Sequence, residues 1–215
     1  LQEANAMGVL NLQTGQFESV IGLGAKDFSL PGNRIDPLNN TSSTYTPESV
    51  AAKGLYMPDG MAVYERNGQT YVLMANEGDF REDDGDRSAA SSFGATGSLA
   101  NLRVSNTDSS PGDLYAAGAR SFSIRNEDGS IVYDSGEILD REAAALGIYN
   151  DGRSRDKGVE PEGIEVMTIG DRSFAFVGLE RTTTAAIAVF DVTDPANSSF
   201  VKMLVTSGDV SPEGL

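Results

Sequence analysis

The stretch that decides the fold is residues 161–180, PEGIEVMTIGDRSFAFVGLE, because the chain contains it twice. The other copy is residues 58–77, PDGMAVYERNGQTYVLMANE, which starts 103 residues earlier and has the same spacing from its proline to its last glutamate. A third start, Pro212-Glu213-Gly214-Leu215, follows 51 residues after Pro161. A period of about 50 residues is typical of a propeller or a solenoid.

The second copy and the residues after it predict four short strands. Gly170 and Asp171 tolerate the backbone of a tight hairpin, and Asp194-Pro195 ends the third strand because proline cannot continue a ladder. The apolar runs lie at 164–166, 174–179, 186–192 and 200–205. Four antiparallel strands in about 50 residues make one propeller blade. Six side chains are expected to be buried between blades: Phe174, Phe176, Val177, Ile187, Val189 and Phe190.

The predicted fold is therefore all-β, a portion of a β-propeller with four-stranded antiparallel blades, and residues 1–215 are predicted to be an internal portion of one propeller domain of a longer protein. The predicted units are a partial blade at 1–23, blades starting near 58, 111 and 161, and the start of a next blade at 212–215. A long polar connection covers 24–57, and 137–148 is the one convincing helix. Because a propeller must close, the expected partners are the remaining blades of the same parent protein. The alternative is a small self-contained β fold whose ends pair with each other.

The composition limits the chemistry of this chain. It has 32 acidic and 16 basic residues, a formal net charge of −16, no cysteine and no histidine. This balance argues against a nucleic-acid partner, which needs a basic surface. Disulfides, thiol chemistry and histidine acid–base catalysis are excluded, and any metal should be hard and oxygen-liganded, with calcium first. No apolar run is long enough to predict a membrane span.

Carboxylates recur at fixed positions of the repeat. Asp59, Glu162 and Glu213 follow the opening proline, while Glu77 and Glu180 follow the second strand. Blade symmetry would bring these groups together as oxygen ligands, and because like charges repel, such a ring needs cations or raised pKa values. The alternative is that each Pro-acid-Gly is a tight turn whose acid faces water.

Two further groups of residues are candidates for a site. Asp79 opens an acidic run, 79–86, that has the Asp/Gly character of a calcium loop without the EF-hand spacing. Lys157 and Arg181 are candidates for binding an anion, and the alternative is that they pair with the carboxylates and hold loops together.

Several blocks of the chain resemble the choice-of-anchor I propeller domain. They include Gln2-Glu3-Ala4-Asn5-Ala6, Pro58-Asp59-Gly60, Ala75-Asn76-Glu77-Gly78-Asp79, Gly158-Val159-Glu160-Pro161-Glu162-Gly163 and Val189-Phe190-Asp191-Val192. The resemblance covers essentially the whole chain. It implies a propeller of about seven blades, of which this chain is an internal portion, in a secreted or surface-attached bacterial protein, hence an extracellular, periplasmic or cell-surface location. Many members of that family are labelled alkaline phosphatase or phytase-like esterase.

Two functions follow from these observations. The first is a secreted or cell-surface binding or attachment module with a calcium-holding acidic face and a surface or matrix partner. The alternative is a calcium-dependent phosphoesterase, in which clustered cations lower the pKa of a bound water. In that case Asp59, Glu77, Asp79, Glu162, Glu180 and Glu213 would be metal ligands, and Arg181 and Lys157 would hold the phosphate.

Overall fold

The structure is a computed structural model that describes residues 1–39, 45–82 and 84–212. The described residues form fifteen strands and one α-helix: β1 (Ala6–Asn11), β2 (Gln16–Gly22), β3 (Ala25–Asp27), β4 (Lys53–Leu55), β5 (Met61–Arg66), β6 (Gln69–Asn76), β7 (Arg87–Ala89), β8 (Arg103–Ser105), β9 (Tyr115–Ala117), β10 (Ser121–Arg125), β11 (Ile131–Asp134), α1 (Ile138–Ala145), β12 (Pro161–Ile169), β13 (Arg172–Leu179), β14 (Ala186–Asp191) and β15 (Ser199–Val205). Short 3-10 helices cover Ala90–Phe93, Gly97–Asn101, Asp151–Arg153 and Pro195–Asn197.

The last four strands form one antiparallel meander, β12-β13-β14-β15, which we call sheet B. Ile169 pairs with Arg172 across a two-residue turn, as the Gly170-Asp171 pair predicts. The side chain of Asp194 accepts a hydrogen bond from the amide of Ala196 and caps the short helix between β14 and β15. The prediction of a single meander over 161–205 is confirmed.

The first copy of the repeat forms β5 and β6, with the same register as β12 and β13. Ala62 pairs with Leu73 as Glu165 pairs with Phe176, at a constant offset of 103 residues. The next two strands differ from the sequence prediction, because β10 and β11 join β6 and β5 in one four-stranded sheet, which we call sheet A. The segments that start near 58 and near 111 thus form one sheet rather than two blades. The reason is that residues 77–120 are an insertion between its second and third strands.

The insertion and the polar connection build a smaller layer beside sheet A. β3 pairs antiparallel with β4, which pairs parallel with β9, and β7 pairs with β8. This layer has its own apolar cluster around Phe28, Ile35 and Leu102. The connection at 24–57, which the sequence predicts to be a long polar loop, therefore contains two short strands and buried side chains.

The main core lies between sheets A and B. The rings of Phe122 in sheet A and Phe190 in sheet B meet edge to face at 4.6 Å, and neither side chain is exposed. The hydroxyl of Tyr64 donates to the carbonyl of Val192 across the same interface, at 2.9 Å. Helix α1, within the predicted 137–148 segment, closes this core with Leu139 and Ala143.

Three of the six side chains that the sequence predicts to be buried between blades are not fully buried. Val177, Val189 and Phe190 are buried, but Phe174, Phe176 and Ile187 are only partly buried. Successive side chains of a strand point to opposite faces. Phe174 and Phe176 therefore lie on the face of sheet B that points away from sheet A. The described residues cover this face less fully than the face that packs on sheet A.

The described residues contain sheets stacked face to face and no closed ring, so the complete propeller stays a prediction. Residues 1–23 form the predicted strand pair, β1 and β2. Within the described ranges, none of the helices has the length and apolar character needed to span a membrane.

Candidate functional site

The candidate site lies where the repeats of sheets A and B meet. Glu77 directly follows β6, Glu180 directly follows β13, and Glu162 is the second residue of β12. The amide of Gly60 donates to the carbonyl oxygen of Glu162 at 2.9 Å. A side chain at position 60 would clash with that oxygen, so the glycine permits the close approach of the two repeats.

Three carboxylates converge at this point. Glu77, Glu162 and Glu180, which we call the glutamate cluster, each offer an oxygen, and these oxygens lie within 4.8 Å of one another. Glu77 and Glu180 are buried and Glu162 is half-buried. The side chain of Asp59 is exposed and lies beside Glu162, whose pKa it raises. The structure thus brings together four of the six carboxylates that the sequence predicts as metal ligands, and their role as ligands stays a prediction.

Burial and mutual repulsion change the acidity of the cluster. Burial raises the pKa of the Glu77 carboxyl to about 7, although Lys157 acts in the opposite direction. Burial, followed by the charges of Glu77, Asp59 and Glu180, raises the pKa of the Glu162 carboxyl to about 8. Desolvation and like charges both disfavour the ionised form of an acid. A cation among these oxygens would relieve both effects.

One cation already contacts the cluster. Lys157 Nζ lies 2.5 Å from Glu77 Oε1 and 2.8 Å from the carbonyl oxygen of Gly78. It also lies 2.9 Å from Glu160 Oε2, while Arg153 Nε donates to the other oxygen of Glu160 at 2.6 Å. Glu160 is fully buried, and its backbone has a φ of +53°. These ion pairs hold the loop before β12 against the end of β6.

The sequence analysis missed two members of this arrangement, Glu160 and Gln2. The amide of Gln2 donates to Glu77 Oε2 at 2.7 Å and orients that carboxylate. Glu160 precedes Pro161, at the position where the other copy has Met57. An acid that appears at this position in one copy and not in the other is the signal that could have identified it.

The other predicted site residues lie outside the glutamate cluster. Arg181 contacts Glu180 at 2.8 Å, so both cations that were candidates for an anion, Lys157 and Arg181, pair with carboxylates here. Asp79 is half-buried and is not part of the cluster among the residues that the structure describes. Glu213 lies outside the described residues.

The acidic run that begins at Asp79 has a structural use of its own. Asp86 is buried and accepts hydrogen bonds from Arg81, Ser105 and Thr107. Arg81 also contacts Asp108 at 2.5 Å. These contacts tie the acidic run 79–86 to β8 and to the turn after it, so they hold two parts of the insertion together.

The residue types of the glutamate cluster fit a hard divalent cation. Calcium prefers carboxylate oxygens and tolerates bidentate ligands in irregular geometry. Glu77, Glu162 and Glu180 supply such oxygens, and Asp59 stands beside them. Lys157 contacts one oxygen of Glu77 and Arg181 contacts one oxygen of Glu180, so a cation bound here would share these two carboxylates with basic side chains.

A family model, the choice-of-anchor I domain, matches residues 1–195. No curated protein and no solved structure shows significant similarity to the chain. The matched range contains sheet A, the first three strands of sheet B and the glutamate cluster.

Proposed function

Because the chain belongs to the choice-of-anchor I domain family, we propose that it is part of a secreted or cell-surface binding module whose glutamate cluster holds a calcium ion. Family membership indicates a surface-associated or extracellular protein. The finer assignment, a bacterial protein that attaches to a surface or matrix partner from the extracellular, periplasmic or cell-surface side, is part of this proposal.

The observation that carries the proposal is the 4.8 Å grouping of Glu77, Glu162 and Glu180 at the junction of two repeats. The raised pKa values of Glu77 and Glu162 support it, because burial first and neighbouring acids second disfavour the ionised carboxylates, and a bound cation would offset both effects. A bound divalent cation would connect the end of β6 to the start of β12. It would stabilise the contact between the sheets that present the acidic face.

The test is calcium titration of the 215-residue chain by calorimetry at pH 8, with magnesium as the comparison ion. We expect a calcium heat and a melting temperature that falls when the ion is chelated, since a ligand stabilises the state it binds. Glu162→Gln should weaken calcium affinity by about tenfold or more. Glu65→Gln, at an exposed residue of β5, is the matched control and should leave the affinity unchanged. Absence of both the heat and the melting shift would overturn the calcium part.

The calcium-dependent phosphoesterase is the alternative function, and a turnover assay of the same chain and variants tests it. It needs cations that are free to hold a phosphate, and here Lys157 and Arg181 contact carboxylates instead. Turnover of a phosphomonoester and of phytate should therefore be absent with and without calcium. Calcium-dependent turnover that disappears in Glu162→Gln would replace the binding module with the esterase.

A further inference from the structure

The ammonium group of Lys157 is surrounded by oxygens of the kind that bind metal ions. Its Nζ lies 2.5 Å from Glu77 Oε1, 2.8 Å from the carbonyl oxygen of Gly78 and 2.9 Å from Glu160 Oε2. Carboxylate and backbone carbonyl oxygens are also the ligands that calcium prefers. The side chain of Lys157 is only 13% exposed, so little water competes for these contacts. Lys157 thus supplies from the chain itself a positive charge that these oxygens would otherwise take from a bound ion.

One of these oxygens is incompletely satisfied. Glu160 is fully buried, and its Oε2 accepts no hydrogen bond within the described part of the chain. Lys157 Nζ at 2.9 Å and Arg181 Nε at 3.9 Å interact with this oxygen through their charge, without hydrogen-bond geometry. Buried polar atoms without a hydrogen-bond partner are rare in native proteins. One ammonium group is therefore shared among more oxygen than it satisfies.

Glu77 belongs both to the glutamate cluster and to the contacts of Lys157. Burial acts against the charged form of Lys157, but the charges of Glu160 and Glu77 outweigh it and raise the pKa of Lys157 to about 12. The lysine is therefore a cation at neutral and mildly basic pH. A calcium ion in the glutamate cluster would meet this positive charge at one of its own ligands, and like charges repel.

The backbone after Lys157 keeps the ammonium group within reach of Glu77. The amide of Val159 donates to Asp140 Oδ1 at 3.1 Å, and Asp140 is buried. A side chain at position 158 would clash with the same carboxylate, so Gly158 permits this close approach. A group that is tethered beside its partner acts at a high effective concentration. Lys157 therefore competes for Glu77 more strongly than a free cation of the same charge.

We propose that Lys157 is a tethered competitor of calcium, whose ammonium group lowers the calcium affinity of the glutamate cluster and so sets the calcium concentration at which the cluster fills. This inference rests on the proposed calcium site and adds what regulates it. Calcium affinity in proteins depends on the charge of the ligand set and on its rigidity. Arg181 contacts Glu180 at 2.8 Å but is 46% exposed, so it is a weaker competitor whose charge water and salt screen.

Calcium titration of variants at position 157 tests the inference. Lys157→Met should raise the calcium affinity by about tenfold or more, because the competing charge is gone. The melting temperature without calcium should fall, because Glu77 and Glu160 lose their counter-charge. Lys157→Arg keeps the charge and should leave the affinity within about threefold of the unsubstituted chain. Lys202→Met, at an exposed residue of β15 outside the glutamate cluster, removes the same charge and is the matched control.

A second variant covers the case in which Lys157→Met does not fold. Lys157→Met combined with Glu160→Gln removes one positive and one negative charge, so the net charge equals that of the unsubstituted chain. The amide oxygen at position 160 can still accept the hydrogen bond from Arg153. We expect this double variant to bind calcium at least about threefold more tightly than the unsubstituted chain. Its calcium-induced rise in melting temperature should be larger, which is a readout independent of the binding heat.

Two results would contradict the inference while leaving the proposed calcium site intact. Equal or weaker calcium affinity in the variants without Lys157 would mean that this residue positions Glu77 and does not compete with the ion. An equal gain in Lys157→Arg or Lys202→Met would mean that local loosening or total charge sets the affinity. A chain that binds no calcium with or without Lys157 would refute the calcium site and the inference together. Binding that appears only when Lys157 is replaced supports both.

Discussion

At the scale of single residues, the junction of sheets A and B is governed by charge. Lys157 contacts Glu77 and Glu160, while Glu162 has no cation within ion-pair distance among the described residues. Lys157 offsets part of the negative charge of Glu77 and Glu160. The charged neighbours that raise the pKa of Glu162 are acids, among them Asp59 and Glu180. The charge imbalance is therefore concentrated on Glu162, which makes this residue the sensitive one in tests of the site.

The first prediction concerns pH in the absence of metal. The folded-state pKa values of Glu77 and Glu162, about 7 and about 8, lie above the ordinary value for glutamate of about 4.3. Between these values the folded state binds more protons than the unfolded state, so stability decreases as pH rises. We therefore expect the free energy of unfolding, measured in EDTA, to decrease as the pH rises from 6 to 9.

Urea denaturation at several pH values measures this dependence. Glu162→Gln should reduce the decrease in the free energy of unfolding between pH 6 and pH 9, because an amide does not titrate. Glu65→Gln should leave this decrease unchanged. A stability that stays flat or rises between pH 6 and pH 9 would contradict the raised pKa values.

At the scale of elements, the two copies of the repeat share a register but not a turn. Asn67 and Gly68 both have positive φ between β5 and β6, which is the type I′ pattern. Between β12 and β13, Gly170 has a φ of +66° and Asp171 is not in that region, which is the type II′ pattern. Both turns have the twist that a two-residue hairpin needs, so they give the same register from different residues.

The second prediction tests this turn. Gly170→Ala should destabilise the chain by about 1 kcal/mol, because alanine pays for the left-handed conformation while no atom crowds the position. Gly22→Ala is the control, since Gly22 has open space around it and no positive φ. It should change the free energy of unfolding by less than about 0.5 kcal/mol. Equal effects of the two substitutions, measured by urea denaturation, would show that backbone conformation at Gly170 is unimportant.

At the scale of the whole molecule, face-to-face stacking of sheets organises the chain. Val72 and Met74 of sheet A pack with Met7 of β1 on one side, and Leu73 packs against sheet B on the other. Sheet A is thus covered on both faces, while the face of sheet B that points away from sheet A is covered only in part.

The third prediction concerns the interface between the sheets. Phe190→Ala should lower the free energy of unfolding by about 3–5 kcal/mol, because it opens a cavity against Phe122 in a fully buried core. Phe17→Ala, at a side chain that is 62% exposed on β2, is the control and should cost less than about 1 kcal/mol. Similar losses for the two variants in urea denaturation would mean that sheets A and B do not form a shared core.

The sequence by itself determined the repeat and its consequences. The paired strands of each copy, the meander over 161–205 and the positions of Asp59, Glu77, Glu162 and Glu180 follow from a fixed spacing, because register and strand ends are local properties. Only the tertiary structure decided which strands share a sheet. β10 pairs with β6 across a 44-residue insertion, 77–120, and no local pattern reports a pairing at that separation. The tertiary structure also decided that Lys157 contacts both Glu77 and Glu160, and that Phe176 is only partly buried while Phe190 is fully buried, because charge pairing and burial depend on what is packed against each face.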